Sequence, residues 1–319
     1  MDVKRLLLLI PLAVLAYLIM VQWNQDYGQP PSTPDAPAIT SNATSNSADA
    51  SASEGLAAPS SANDVGSELP GSNEPAANSR DLVAVITDVL DVRIDPQGGD
   101  IVYAALPQHL MSQDGDRPYV LLSNNSTLSY VARSGLQLDG NSGRIAFSPE
   151  KTEYRLADGQ DSLQVDMTAT VNGIDIVKRF TFSRDDYAVD VSYLLANAGE
   201  EPVSARFIGQ LARDNNPDPS TGPKMGMRSF LGAAYSSPEN RYEKIDFEDI
   251  QAGNFQNREV EGGWVAIIQH YFTSAWVPSQ QQDNLFYAAT DSQDRNVAAF
   301  AGQAQTLAPG ADATLGATL

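Results

Sequence analysis

Hydrophobic and polar positions fall into three regimes along the chain. The first is an apolar run from Leu6 to Val21, preceded by Lys4 and Arg5 and followed by Gln22 and Trp23. The second, Gly28 to Ser79, has no aromatic residue and no Lys or Arg, and is mostly Ser, Ala, Pro, Asn and Gly. The third begins at Arg80 and alternates with the two-residue period of half-buried strands. The pattern predicts a lipid-facing segment over 1–27, a linker over 28–79 and a β domain over 80–319.

Sixteen apolar residues fall slightly short of the ~20 that a spanning helix prefers. Gln22 and Trp23 can extend the segment into the headgroup layer. The rival is a cleaved signal peptide, whose apolar region of about 7–15 residues ends at an A-x-A-like site. No such site follows Val21, so a retained anchor is expected. Leu6, Leu9, Leu12, Leu15, Leu18 and Val21 would then sit in the bilayer, with Trp23 at its far interface. Lys4 and Arg5 would stay cytoplasmic and residues after about 24 would lie outside. The linker cannot bury enough apolar surface to offset the entropy of ordering it. Disordered, it has a reach of about 40 Å.

Within the third regime, Leu82, Ala84, Ile86, Leu90, Val92 and Ile94 alternate as one strand, and Pro96–Asp100 reads as a turn. The clearest hairpin runs from Leu163 through Val165, Met167 and Ala169 to Asn172-Gly173, the dipeptide of a type I′ turn. Ile174, Ile176, Phe180 and Phe182 return along its partner. Tyr187, Val189, Val191, Tyr193 and Leu195 then lead to a turn near Asn197–Gly199. Further strands are expected at 119–122, 203–211, 285–289 and 297–301. Many short strands separated by turns, with no long amphipathic helix after residue 24, predict an all-β fold. About 240 residues suit one large two-sheet sandwich. The stretch "GGWVAIIQHYFTSAWVP", Gly262–Pro278, is apolar at both strand parities and reads as a core strand covered on both sides.

Charge narrows the partners. The chain has 40 acidic and 20 basic residues, a formal net charge of −20. Nucleic acid is excluded as a partner, because phosphate backbones are held by clustered Lys and Arg. Cysteine is absent, which removes thiol catalysis, disulfides and thiolate metal sites.

Candidate chemistry is sparse. Two histidines with a carboxylate serve sugar mutarotases in acid–base work, and here His109 and His270 are the only pair. They lie far apart in sequence, His109 in a polar, loop-like segment (Pro107–Leu110), and a lone His among aromatics such as His270 is usually an interior residue. "DNNPDPSTGPKM" from Asp214 offers Asp214, Asn216 and Asp218 at alternate calcium-loop positions. Pro219 replaces the required Gly, however, and Met225 the bidentate Glu. No phosphate-binding, dinucleotide, nucleophile-elbow or zincin motif occurs. No catalytic residue, cofactor or metal site is expected.

Four stretches then resemble one family. These are the start Met1–Gly28 with its "WNQDYG", Val85–Ile101 "VITDVLDVRIDPQGGDI", Phe230–Ile250 "FLGAAYSSPENRYEKIDFEDI" and Gly262–Pro278. They resemble the bacterial membrane-protein insertase YidC in its Gram-negative form. The resemblance implies an uncleaved inner-membrane anchor and a periplasmic β-supersandwich similar to galactose mutarotase. It implies assistance to the insertion and folding of nascent membrane proteins, alone or beside the Sec translocon. The family's insertase activity belongs to a later helical bundle with a charged groove, which this sequence does not contain, so it reads as a truncated or incomplete chain. The portion present is expected to anchor and bind partners. The alternative is a periplasmic sugar-binding or mutarotase-like domain.

Overall fold

The computed structural model describes residues 82–111, 115–139, 143–218 and 229–319. The anchor positions from Leu6 to Trp23 and the linker lie outside the described residues.

The chain opens with β1 (Val83–Ile86), β2 (Asp91–Asp95), β3 (Asp100–Leu110), β4 (Pro118–Asn124), β5 (Ser129–Leu138), β6 (Ser148–Pro149) and β7 (Glu153–Arg155). Then come β8 (Ser162–Val171), β9 (Ile174–Ser183), β10 (Val189–Asn197), β11 (Val203–Arg213), β12 (Gly232–Ser236) and β13 (Glu243–Asp246). A five-residue helix, α1 (Phe247–Gln251), precedes β14 (Arg258–Glu261), β15 (Trp264–Ile268) and β16 (Thr273–Trp276). The last strands are β17 (Asp283–Thr290), β18 (Asn296–Ala301), β19 (Gln305–Leu307) and β20 (Asp312–Thr318).

Eleven strands form one sheet in the order β14-β17-β18-β11-β5-β4-β3-β2-β1-β7, with β19 also pairing with β11. Two smaller sheets, β20-β10-β9-β8-β6 and β13-β12-β15-β16, pack on one of its faces. Reciprocal backbone bonds between Val277 and Thr318, 2.8 and 3.0 Å, stitch the smaller sheets into one layer. The expected all-β sandwich is therefore borne out, with its second layer assembled from two pieces.

The β8–β9 hairpin shows how local sequence sets this geometry. Asn172 and Gly173 have φ of 50° and 80°, the left-handed pair that a tight I′ turn needs. That register points Val165, Met167, Ile174, Ile176, Phe180 and Phe182 inward, and all are buried.

Two expectations need correction. Residues 82–94 form a hairpin instead of one strand, because Thr87 breaks the run: its Oγ1 accepts bonds from the Val89 and Leu90 amides. Val83 and Val85 point into the core in place of Ala84 and Ile86. Since β1 is apolar at both parities, alternation did not select the inner face. Likewise, Gly262–Pro278 is a hairpin of β15 and β16, turning at Gln269–Phe272. The polar Gln269-His270 pair marks the turn that overall greasiness concealed.

The core between layers centres on Phe207, whose ring lies 5.5 Å from Tyr193, 5.8 Å from Trp276 and 5.7 Å from Phe300. Gly209, two residues on, presents no side chain where Phe300 and Trp276 close over the strand. A second apolar cluster occupies the opposite face of the large sheet. Val102, Val131, Ile208, Ala212, Tyr287, Val297, Ala299 and Ala301 belong to it; all take the parity opposite to the core positions of their strands except Val102, which the register shift between β2 and β3 turns outward.

Lys178 holds an inward position on β9 that hydrophobic alternation passes over. Its Nζ donates to the carbonyls of Gly98 (2.8 Å) and Ser134 (2.9 Å). The rings of Phe147, Phe180 and Tyr193 surround it at 5.1–5.7 Å. Burial pulls its pKa down to about 7, against the attraction of the Asp100 carboxylate. Gly99, with φ of 70°, leaves room for its chain, since a Cβ there would meet Lys178.

Two outcomes are expected. Gly209→Ala forces a methyl into the Phe300 ring, and overpacking of this kind costs about 1–3 kcal/mol, read as a lower midpoint in thermal unfolding. For Lys178, the unfolded lysine keeps its proton to about 10.5 while the folded one releases it near 7. The unfolded state thus binds more protons in this window, so stability rises with pH by about 1.4 kcal/mol per unit. Above pH 10 the trend reverses, because burial raises the pKa of Tyr130, Tyr193 and Tyr287 and unfolding lets them ionise. Denaturant titrations should show this rise in the wild type and its loss in Lys178→Met; superimposable profiles would refute it.

Candidate interaction site: an apolar cleft between the layers

At the end of the sandwich where β3 runs on to Leu110, the layers leave a cavity of about 290 Å³. Its walls come from both layers. Leu90, Val92, Ile101, Ala104, Leu106, Leu121 and Leu122 belong to the large sheet or its turns. Val189, Ser274, Ala275 and Leu319 come from the smaller one. Because β2, β3, β10 and β16 each present apolar residues there, the lining is hydrocarbon with few polar groups.

Polar and aromatic groups gather at the rim. His109 Nε2 and the Tyr187 hydroxyl are 3.1 Å apart. The Phe272 ring stands edge-on to His109 at 5.4 Å and tilts against Tyr119 at 4.3 Å. Tyr187 is 42% exposed and Tyr271, on the neighbouring turn, 69%. The Tyr119 hydroxyl donates to Asp218 Oδ1 and the His270 amide donates to Asp218 Oδ2, both at 3.2 Å, which ties the β15–β16 turn to the end of β11.

His109 reaches the cleft through the length of β3, not through a loop. His270 stacks on Tyr271 at 3.9 Å on an exposed turn, not in the interior expected of it. Each imidazole is engaged by an aromatic residue, and among the described residues no carboxylate joins them into an acid–base set. Asp214 accepts bonds from the amides of Ser129 and Asn216, so it shapes its loop. Among the described residues no three acidic or imidazole side chains are grouped as metal ligands. The sequence pattern reads Tyr187 and Phe272 as strand positions, but the strands begin after them, at Val189 and Thr273, and leave both at the rim. The one signal for them was an aromatic residue placed beside turn residues.

Residues 82–319 match the family model described as the YidC periplasmic domain. The chain belongs to the YidC family. It is 41% identical over 336 residues to the membrane protein insertase YidC of Stutzerimonas stutzeri, covering 100% of this chain and 58% of that protein. Identity to the Azotobacter vinelandii insertase YidC is likewise 41%, over 98% of this chain and 57% of the relative. The chain thus spans somewhat over half the length of these YidC relatives. A galactose mutarotase related enzyme from Lactobacillus acidophilus matches 74% of this chain and 96% of its own, at TM-score 0.47 and 9% identity. The YidC assignment bears out the expected family.

The cleft makes a direct test. Ala275→Trp should fill it and abolish binding of an uncharged environment-sensitive dye, whereas Tyr187→Phe, which removes one rim hydrogen bond, should change stability by only about 1 kcal/mol. Undiminished dye binding in Ala275→Trp would show that the dye sits elsewhere.

Proposed function

We propose that this chain is the anchored, periplasmic portion of a membrane protein insertase. On this reading residues 6–21 span the inner membrane, with Leu6, Leu9, Leu12, Leu15, Leu18 and Val21 in lipid and Trp23 at the outer interface. Residues 28–79 tether a sandwich that binds partners and does no chemistry. The carrying observation is the YidC periplasmic match over 82–319, together with 41% identity, over the whole of this chain, to a named insertase of which it spans 58%.

The cleft gives that role a physical basis. Its hydrocarbon walls suit apolar side chains of an emerging membrane protein. Its volume of about 290 Å³ lies at the lower end of ligand cavities, about 300 Å³. It therefore takes individual side chains, and a whole helix does not fit. Tethering raises the effective concentration of such a weak site near the membrane. Partnership with the Sec translocon belongs to the same proposal and is supported by the resemblance of the four sequence blocks.

Membrane fractionation should find Leu12→Arg/Leu15→Arg released from the membrane pellet while the wild type stays. In proteoliposomes, a full-length YidC relative should insert a test substrate and this chain alone should not. Insertion by this chain alone would overturn the binding-module reading, and an unanchored wild type would overturn the anchor.

A further inference from the structure

Among the described strands, the two smaller sheets meet at the Val277–Thr318 bridge and part on either side of it. One side is the apolar cleft. The other is a second opening of about 170 Å³, floored by Phe207 and Phe300 and rimmed by Ser279, Gln282, Gln303 and Gly316. Its lining holds no charged residue, although the chain carries 40 acidic and 20 basic ones.

Strand β20 turns a main-chain edge toward this opening. Leu319 and Val189 exchange both backbone bonds, at 2.9 and 2.8 Å. Such pairs alternate along an antiparallel ladder, so Leu315 and Ala317 also direct their amides and carbonyls to β10. Thr314 and Gly316 direct theirs the other way, as Thr318 does when it exchanges bonds with Val277. β20 ends its sheet on that side, and no described strand pairs with Thr314 or Gly316 there. A continued β16 would set Ser279 opposite Gly316, but the chain turns away. Gln280 Nε2 donates to the carbonyls of Gly263 (2.9 Å) and Pro278 (2.8 Å), and its Oε1 accepts from the Gly263 amide. Asn284, 1% exposed, donates to the carbonyls of Ser279 (3.1 Å) and Gln282 (3.0 Å) and so holds that turn in place.

A sheet edge recognises another main chain, and pockets beside it then select alternate side chains. The opening fits that mode. Thr314 and Gly316 stand two residues apart, the repeat of a pairing edge, and the glutamine amides at the mouth match peptide groups. From Ala313 to Thr318 the strand carries no charge and no Pro, the residues that usually blunt an exposed edge. The volume is well below the about 300 Å³ of small-molecule sites, which leaves room for one side chain over the two rings.

We propose that an extended segment of a partner polypeptide adds to β20 at Thr314–Gly316, its main chain paired with that edge and one apolar side chain over Phe207 and Phe300. This site is separate from the apolar cleft and holds whether or not the chain assists insertion.

The test uses the full chain in detergent micelles and capped heptapeptides of serine and threonine with leucine or phenylalanine at the centre. Binding should slow amide exchange at Thr314 and Gly316 at least tenfold. Leu315 and Ala317, already bonded to β10, should not change. Alternate amides of a strand face opposite edges. Of two peptides N-methylated at odd or at even positions, one should therefore lose at least tenfold in affinity and the other keep it. Thr314→Pro removes a donor from the edge and leaves the ladder to β10; it should weaken binding at least fivefold. The methylated pair decides the matter even if this variant is destabilised. The proposal falls if neither peptide protects Thr314 and Gly316 at millimolar concentration, or if both methylated peptides bind like their parent. It falls as well if light scattering shows a dimer whose formation alone protects these amides.

Discussion

The structure depends on one constraint: its large sheet is apolar on both faces, and both must be kept from water. Strand β11 shows the demand in miniature. Phe207 and Leu211 face the smaller sheets, while Ile208 and Ala212 face away, and all four are buried. The inner face is covered by two sheets that individually are too narrow for eleven strands. The Val277–Thr318 bridge makes one layer of them, and the core around Phe207 closes where they join.

Covering a wide twisted sheet with a patchwork leaves gaps, and the cleft is one of them. It opens where β3 outruns its neighbours and where β16 and the end of β20 meet the start of β10. Its lining is apolar for the same reason the core is. What distinguishes it is the rim, where Tyr187 and Phe272 each contact His109.

Polar groups inside the sandwich are held by geometry as specific as the apolar packing. Lys178 is accommodated because two carbonyls accept from it, three rings surround it and Gly99 gives it space. Asp291 is buried between Arg133 and Arg295, and desolvation lifts its pKa even against the pull of Arg133. A buried charge left without such partners costs several kcal/mol, so these positions constrain the fold as firmly as Phe207 does.

Sequence alone fixed what short-range physics controls. Asn172-Gly173 dictated a I′ hairpin because few other dipeptides adopt two left-handed residues. The alternation after it placed Val165, Phe180 and Leu195 inside, and four sequence blocks carried the YidC resemblance. Tertiary structure decided whatever depends on which surface lies opposite. Residues 82–86 are apolar at both parities, so only the packed sheets selected Val83 and Val85 for the core. Tyr187 and Phe272 are 85 residues apart in sequence and meet His109 only because two layers bring β3, β10 and β16 to one end. Lys178 shares the spacing of its apolar neighbours, and only the carbonyls of Gly98 and Ser134, supplied by a distant turn and a distant strand, make its burial tolerable.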